Sequence, residues 1–334
     1  MAKRPVPDLT RSTDCLVRIV ACGICGTDVN IVRGDYGACR PPVVLGHEAT
    51  GEVVQIGSAV RNFHVGDRVA INPTYFCGLC RYCRTGRTNH CALKDGTEAG
   101  VSSDGALAEY FVTSERFLHT LSPQLSYEEA ALIEPLSCVL TGVNKLAPRP
   151  SATCLILGIG PVGLLYALTL ATRGLSGIAV EPAADRRALA HAILSPKKWA
   201  VYGTVREAKR TIGKDGIDIL VDASGYFDDS LLPLVAPGGH VLLVALRSHK
   251  KTVDFGALAD RSVSLVGSID SVGTFDDAQG LLASGQIPTK NLISHVVSME
   301  EVPASLSLLG CDVRNKTYLP SAAALKIIVR VGAG

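Results

Sequence analysis

Four cysteines, Cys77, Cys80, Cys83 and Cys91, follow the spacing C-x2-C-x2-C-x7-C within 15 residues. Four thiolates so confined can surround one Zn²⁺ tetrahedrally and leave no coordination place open, the pattern of a structural site. Gly78, Gly86 and Asn89 lie among them and suit a loop folding around an ion. A second set of metal-binding residue types is dispersed along the chain. Cys22-Gly-Ile-Cys25-Gly-Thr27-Asp28 is followed by Gly46-His47-Glu48, with His47 twenty-two residues after Cys25, and then by Ile133-Glu134-Pro135. Sulfur, nitrogen and oxygen donors far apart in sequence, with a place left for water or substrate, make the donor set of a catalytic zinc.

The third signature is Thr153-Cys-Leu-Ile-Leu-Gly158-Ile-Gly160-Pro161-Val162-Gly163, a G-x-G-x-x-G directly after an apolar run and at the start of a helical one. In that context it is a dinucleotide fingerprint. Gly158 permits the tight turn, Gly160 lets the backbone approach a pyrophosphate, and Gly163 lets helix and sheet pack closely. Pro161 and Val162 open the helix whose N-terminus favours the phosphate charge. Eighteen residues past Gly163, Ile178-Ala-Val-Glu181 ends in a carboxylate placed to bind the adenosine ribose 2′-OH. Glu181 therefore favours NAD over NADP, while Arg186 and Arg187 just beyond are the residues that would serve a 2′-phosphate.

These residues need elements to hold them. Up to about 145 the chain reads as short β segments with Gly and Pro turns, including Leu16–Val20, Gly51–Gly57 and Asp67–Ile71. From about 150 strand and helix alternate, the mark of a parallel α/β sheet. Strands are expected at Thr153–Leu157, Ile178–Glu181, Ala200–Tyr202, Ile217–Ala223, His240–Ala245 and Ser264–Gly267, with helices at Pro161–Arg173 and Asp185–Leu194. Six such strands complete a dinucleotide-binding sheet. Helices at Phe275–Ser284 and Glu300–Leu309 and a last strand at Leu325–Val331 follow.

Bulk composition narrows the function class. The chain has 334 residues, 47% hydrophobic and 19% charged, which suits two globular domains. A net charge of +2 and no basic stripe around the cysteine lobe argue against a nucleic-acid partner, although C-x2-C pairs also build zinc ribbons. Uncharged Pro150–Thr172 is long enough to span a bilayer but is broken by Gly158, Gly160, Pro161 and Gly163, so no membrane helix is expected. Eleven cysteines, an odd number, with metal-type spacing and no apolar secretory signal after Met1, point to the reducing cytoplasm.

The chain resembles the zinc-dependent medium-chain alcohol dehydrogenases over nearly its whole length. The likeness rests on Cys22-Gly-Ile-Cys25-Gly-Thr27-Asp28, Gly46-His47-Glu48 with Gly51, Val65-Gly-Asp-Arg-Val, the four-cysteine lobe, Gly105-Ala-Leu-Ala-Glu-Tyr110, Glu134-Pro-Leu-Ser-Cys138 and the glycine fingerprint, in that order. The resemblance implies an α/β fold: a Rossmann doubly wound parallel sheet, residues 146–270, inserted in a split, mainly β GroES-like catalytic domain of residues 1–145 plus 271–334, with the active site in the cleft. The structural zinc lobe would occupy residues 77–91.

It also implies that Cys25 and His47 bind a catalytic zinc, that Glu48 and Glu134 take the remaining places directly or through water, and that Cys138 is the weaker ligand candidate. Thr27 would relay the substrate proton and Asp28 would orient His47. Two glutamates at this site, where the simple-alcohol branch uses a second cysteine, imply the branch acting on polyols, sugars and threonine. The implied substrate is a polar secondary alcohol or ketone, including aminosugars and aminocyclitols, with the charged loop Arg33–Arg40 lining part of the pocket. A homodimer or homotetramer is implied as well. Two departures stand out: most relatives carry some twelve to fifteen more residues before Met1, which implies a shortened or absent first strand or a misassigned start, and Asn30 replaces a frequent relay histidine. The alternatives are a zinc-independent double-bond reductase of the same superfamily and a non-catalytic zinc-lobe protein. Elemental analysis separates them: two zinc ions per chain are expected, and one ion only, held by the four cysteines, would remove the zinc-dependent oxidoreductase reading.

Overall fold

The computed structural model describes residues 3–39, 41–246, 252–319 and 323–332. The chain divides into two compact units, one of Met1–Ser137 with Ser271–Gly334, the other of Cys138–Asp270. The division falls inside a helix, Ile133–Leu146, rather than at its end near 145. The sequence reading took this stretch as a motif and not as a helix. Its Pro135 is in the first turn, where a missing N–H costs nothing.

The first unit begins with β1 (Asp14–Ile24), β2 (Glu48–Ile56), β3 (Arg68–Ile71), β4 (Tyr110–Ser114) and β5 (Leu118–Thr120). The second unit supplies β6 (Cys154–Leu157), β7 (Gly177–Val180), β8 (Trp199–Tyr202), β9 (Ile217–Asp222), β10 (Val235–Leu243) and β11 (Ser264–Gly267). The chain then returns to the first unit with β12 (Ile293–Ser298), a short hairpin of β13 (Cys311–Asp312) and β14 (Thr317–Tyr318), and β15 (Lys326–Arg330). The short strands β4, β5, β13 and β14 were not among the expected elements, and neither was the six-residue β12. Its residues are half-buried rather than alternating, as suits a sheet edge. The expected helix at Glu300–Leu309 is a four-residue turn, Val302–Ser305, continued by a 3₁₀ turn.

In the first unit the strands run β12–β15–β1–β2–β3–β5, with β4 also paired to β1. β1 is the keel of this sheet. It is buried at nearly every position, and its one exposed residue, Arg18, pairs with Glu52 at 2.8 Å. Cys15, Val17, Ile19, Val53, Val69, Ile327 and Val329 make its core. Because β1 lies between β2 and β15, residues from the beginning and the end of the chain meet across it.

The second unit is an all-parallel sheet in the order β11–β10–β9–β6–β7–β8, the doubly wound order. β6 is buried throughout, as a strand covered on both faces must be. The uncharged stretch Pro150–Thr172 resolves into β6 and the 12-residue helix Pro161–Thr172. Among the described residues no helix is long and apolar enough to cross a membrane.

One carboxylate ties β6 to β9. Asp218 accepts hydrogen bonds from the Thr153 amide (2.8 Å) and hydroxyl (2.9 Å) and pairs with Arg149 (2.9 Å). The Thr153 amide, then its hydroxyl and Arg149, hold the Asp218 carboxyl below its ordinary pKa against the effect of burial. A depressed folded-state pKa contributes stability above the unfolded value, near 3.9, and loses it as pH falls through the folded value. Asp218→Asn is expected to cost about 1 kcal/mol at neutral pH, solvent screening keeping it modest. In thermal melts the gap to the unsubstituted protein should narrow as pH falls below the unfolded value of about 3.9.

Candidate active site

The four-cysteine lobe lies beyond β3. None of its cysteines is in a disulfide. The sulfurs of Cys77 and Cys83 are 3.9 Å apart, those of Cys80 and Cys83 3.5 Å, and those of Cys80 and Cys91 3.9 Å. A tetrahedron with Zn–S bonds of about 2.3 Å has S···S edges of about 3.8 Å, so the cage fits the ion. Backbone N–H groups converge on the sulfurs: Cys77 on Cys91 (3.2 Å), Cys80 on Cys77 (3.2 Å) and Leu79 on Cys77 (3.4 Å). Such donors favour thiolate. The amides of Leu79 and Cys80 lower the Cys77 pKa, and those of Ala92 and Cys83 lower that of Cys80 to about 6. Left-handed backbone at Gly78 and Gly86 turns the loop around the cage.

The second centre is assembled from β1, β2 and the helix Gly26–Arg33. Cys25, His47 and Glu48 bring one ligand atom each within 4.8 Å of one another. Cys25 is the N-cap of the helix, and Asp28 at its N3 position accepts the Cys25 amide at 2.8 Å. The other Asp28 oxygen lies 3.4 Å from the Gly46 amide and 3.7 Å from His47 Nδ1. With Nδ1 turned to Asp28, Nε2 is the ring atom left for a metal. Gly46 has φ +91°, and a Cβ there would meet the Leu107 amide at 2.6 Å, so only glycine places His47 this way.

Cys22, the other half of the C-x2-C pair, is buried. Burial, then Asp28 and Glu48, push its thiol well above the ordinary value, and it stays outside the cluster. Glu134, in the first turn of Ile133–Leu146, also lies outside the group of three, though near enough for its charge to act on His47. Thr27 is half-buried one residue into the helix after Gly26, and Cys138 belongs to the other unit.

Glu48 is 1% exposed, and neither of its oxygens has a hydrogen bond among the described residues. Among the described residues its ion-pair partner is the ammonium of Lys326 on β15. A buried carboxylate with acceptor capacity beyond its ammonium partner, beside a thiol and an imidazole, fits a divalent cation. Lys326 is the functional residue that sequence reasoning missed. The available signal was a lysine inside the apolar run Leu325–Val331.

In the second unit, Gly158 has φ +83° and closes the turn after β6. A Cβ on Gly163 would collide with the Gly158 carbonyl and reach Ala223 Cβ at 3.3 Å, so this glycine packs helix on sheet. Around Gly160 the nearest atom to such a Cβ is Arg186 Nη1 at 4.0 Å. The helix starts there without a side-chain cap, Pro161 at its first position and Val162 half-buried behind it. A helix N-terminus that begins at this open glycine fits a pyrophosphate. Glu181 turns back toward this loop: its two oxygens accept the Ile159 and Ala183 amides at 3.0 Å each, and Arg186 Nη1 stands 3.8 Å away. Arg187 is committed to the Glu181 and Pro182 carbonyls. In the loop at 33–40, Arg33 pairs with Asp35 at 2.8 Å, and Arg40 lies outside the described residues.

His47 links the metal site to pH. Burial lowers its pKa, but Asp28, then Cys25 and Glu134, outweigh this and hold the ring well above the ordinary imidazole value. A proton and a metal ion compete for the same lone pair. Zinc affinity at this centre should therefore fall steadily from about pH 8 to about pH 6, with proton release on binding. Competition with a chromogenic chelator measures this, and a flat profile would contradict the ligand role of His47.

Residues 11–123 match the alcohol dehydrogenase GroES-like domain. Sorbitol dehydrogenase of Bacillus subtilis is 33% identical over 89% of this chain and 86% of its own length. D-altritol 5-dehydrogenase of Agrobacterium fabrum is 33% identical over 90% of each chain. A zinc-binding dehydrogenase of Sinorhizobium meliloti, solved bound to NADP, superposes with a TM-score of 0.82 at 28% identity, covering 98% of this chain and 93% of its own. With two zinc sites of the expected donor types and a nicotinamide-dinucleotide fold on one polypeptide, the chain belongs to the zinc-dependent medium-chain alcohol dehydrogenases and is an NAD(P)-dependent oxidoreductase.

Proposed function

We propose that the enzyme interconverts a secondary alcohol and a ketone on a polyol or sugar substrate, with NAD as hydride partner. The donor set carries this reading. Glu48 stands beside Cys25 and His47, with Glu134 near, where the simple-alcohol branch uses a second cysteine. The relatives named for sorbitol and D-altritol support the same class. The Arg33–Asp35 pair in the adjoining loop sequence suits a ligand rich in hydroxyls.

When bound, zinc supplies Lewis acidity toward the substrate oxygen, and the nicotinamide takes up or gives the hydride. Cys25, His47 and Glu48 hold the ion, Glu134 assists, and Asp28 fixes the His47 ring. Thr27 takes the substrate proton. With Asn30 where many relatives have histidine, Thr27 would pass that proton on without an imidazole at this position. Gly158, Gly160, Pro161, Val162 and Gly163 receive the pyrophosphate, and Glu181 accepts from the adenosine ribose. Arg186, already beside Glu181, is the residue that would offset a 2′-phosphate. No disulfide joins the described cysteines, which supports a reducing cytoplasmic setting. A homodimer or homotetramer is proposed on the family likeness.

A panel of polyols, sugars, threonine, aminocyclitols and simple alcohols, read by NAD(P)H absorbance, tests the substrate class. Polyols with NAD should exceed simple alcohols at least about tenfold in kcat/KM, a gap of about 1.4 kcal/mol in transition-state binding. A simple alcohol or threonine as best substrate would overturn it. Cys25→Ser and His47→Ala should abolish turnover and leave NADH binding intact by fluorescence.

A further inference from the structure

Lys326 is the only lysine or arginine among the described residues that is fully buried, at 2% exposure. Burying an ammonium costs several kcal/mol unless it is paired and hydrogen-bonded. Here it donates to the Ile24 carbonyl at 3.1 Å and pairs with Glu48. Its surroundings are acidic: Glu48, Cys25 and Glu134 all act on its charge. The register of the sheet explains the meeting. Glu48 on β2 lies directly opposite Gly23 on β1, whose other neighbour is Ile328 on β15. A Cβ on Gly23 would strike the Glu48 carboxylate and lie 2.9 Å from Lys326 Cε. Gly23 is thus the gap through which the lysine reaches the carboxylate.

We propose that Lys326 is a positioning residue for the catalytic zinc site: its ammonium holds the Glu48 carboxylate on which the metal would also draw, and so weakens Glu48 as a ligand. Two effects act in the same direction. The ammonium repels a nearby divalent cation, and it occupies an oxygen that the cation would otherwise take. Removing the positive charge should therefore tighten metal binding, the reverse of what loss of a merely structural contact would do. The inference rests on Cys25, His47 and Glu48 as metal ligands but not on the polyol assignment, because metal binding is read without substrate.

The test exchanges the catalytic zinc of the full-length enzyme for Co²⁺ and follows its visible absorption and its removal by chelator. Lys326→Met should hold the catalytic metal at least about tenfold more tightly, about 1.4 kcal/mol. Its cobalt bands should shift, while NADH binding stays unchanged. Lys326→Arg, which keeps the charge, should restore both metal properties toward the native values. Lys326→Gln, which removes the charge but keeps a polar tip, should shift the cobalt bands in the direction of Lys326→Met and guards against misfolding of that variant. Unchanged or weaker metal affinity in Lys326→Met, or native cobalt bands in Lys326→Gln, would overturn the proposal.

Discussion

The fold of the first unit is organised around one electrostatic problem. Asp28, Glu48 and the Cys25 sulfur converge with His47 at the ends of β1 and β2, in an interior that penalises unpaired charge. Each anion has an assigned counterweight. Asp28 takes two backbone amides and faces His47; Glu48 takes Lys326; what is left is the place of a divalent cation. The surrounding apolar core, from Cys15 to Val331, raises the stakes of that arrangement by keeping water away.

The second unit meets the opposite demand, to bind anions. It does so with backbone rather than side chains: the bare start of the helix at Gly160 and the tight turn at Gly158. Glu181 serves this loop twice over. By accepting the Ile159 amide it braces the turn, and by its negative charge it colours what may sit beyond it. The metal donors and the dinucleotide donors are thus divided between the units, each with its own core.

Much of this was legible in the chain because the chemistry is local. The four-cysteine lobe and the G-x-G-x-x-G turn are contiguous, so their spacing carries their geometry, and the six parallel strands announced themselves by apolar runs. What was not legible depends on contact between distant segments. That Glu48 belongs to the tight cluster and Glu134 stands apart from it is decided by packing, not spacing. The pairing of Glu48 with Lys326 requires the register of three strands. The helix Ile133–Leu146 was hidden by a proline that its first turn tolerates, and β12 by the absence of the alternation that a half-covered strand usually has.

The placement of Lys326 on β15 has a consequence for biosynthesis. The sulfur cage is complete once residue 91 has left the ribosome, whereas the other metal centre lacks its balancing ammonium until residue 326 has been translated and β15 has docked beside β1. The sulfur cage can therefore load on a nascent chain, whereas the other centre acquires its native electrostatics only after β15 has been made and has paired with β1.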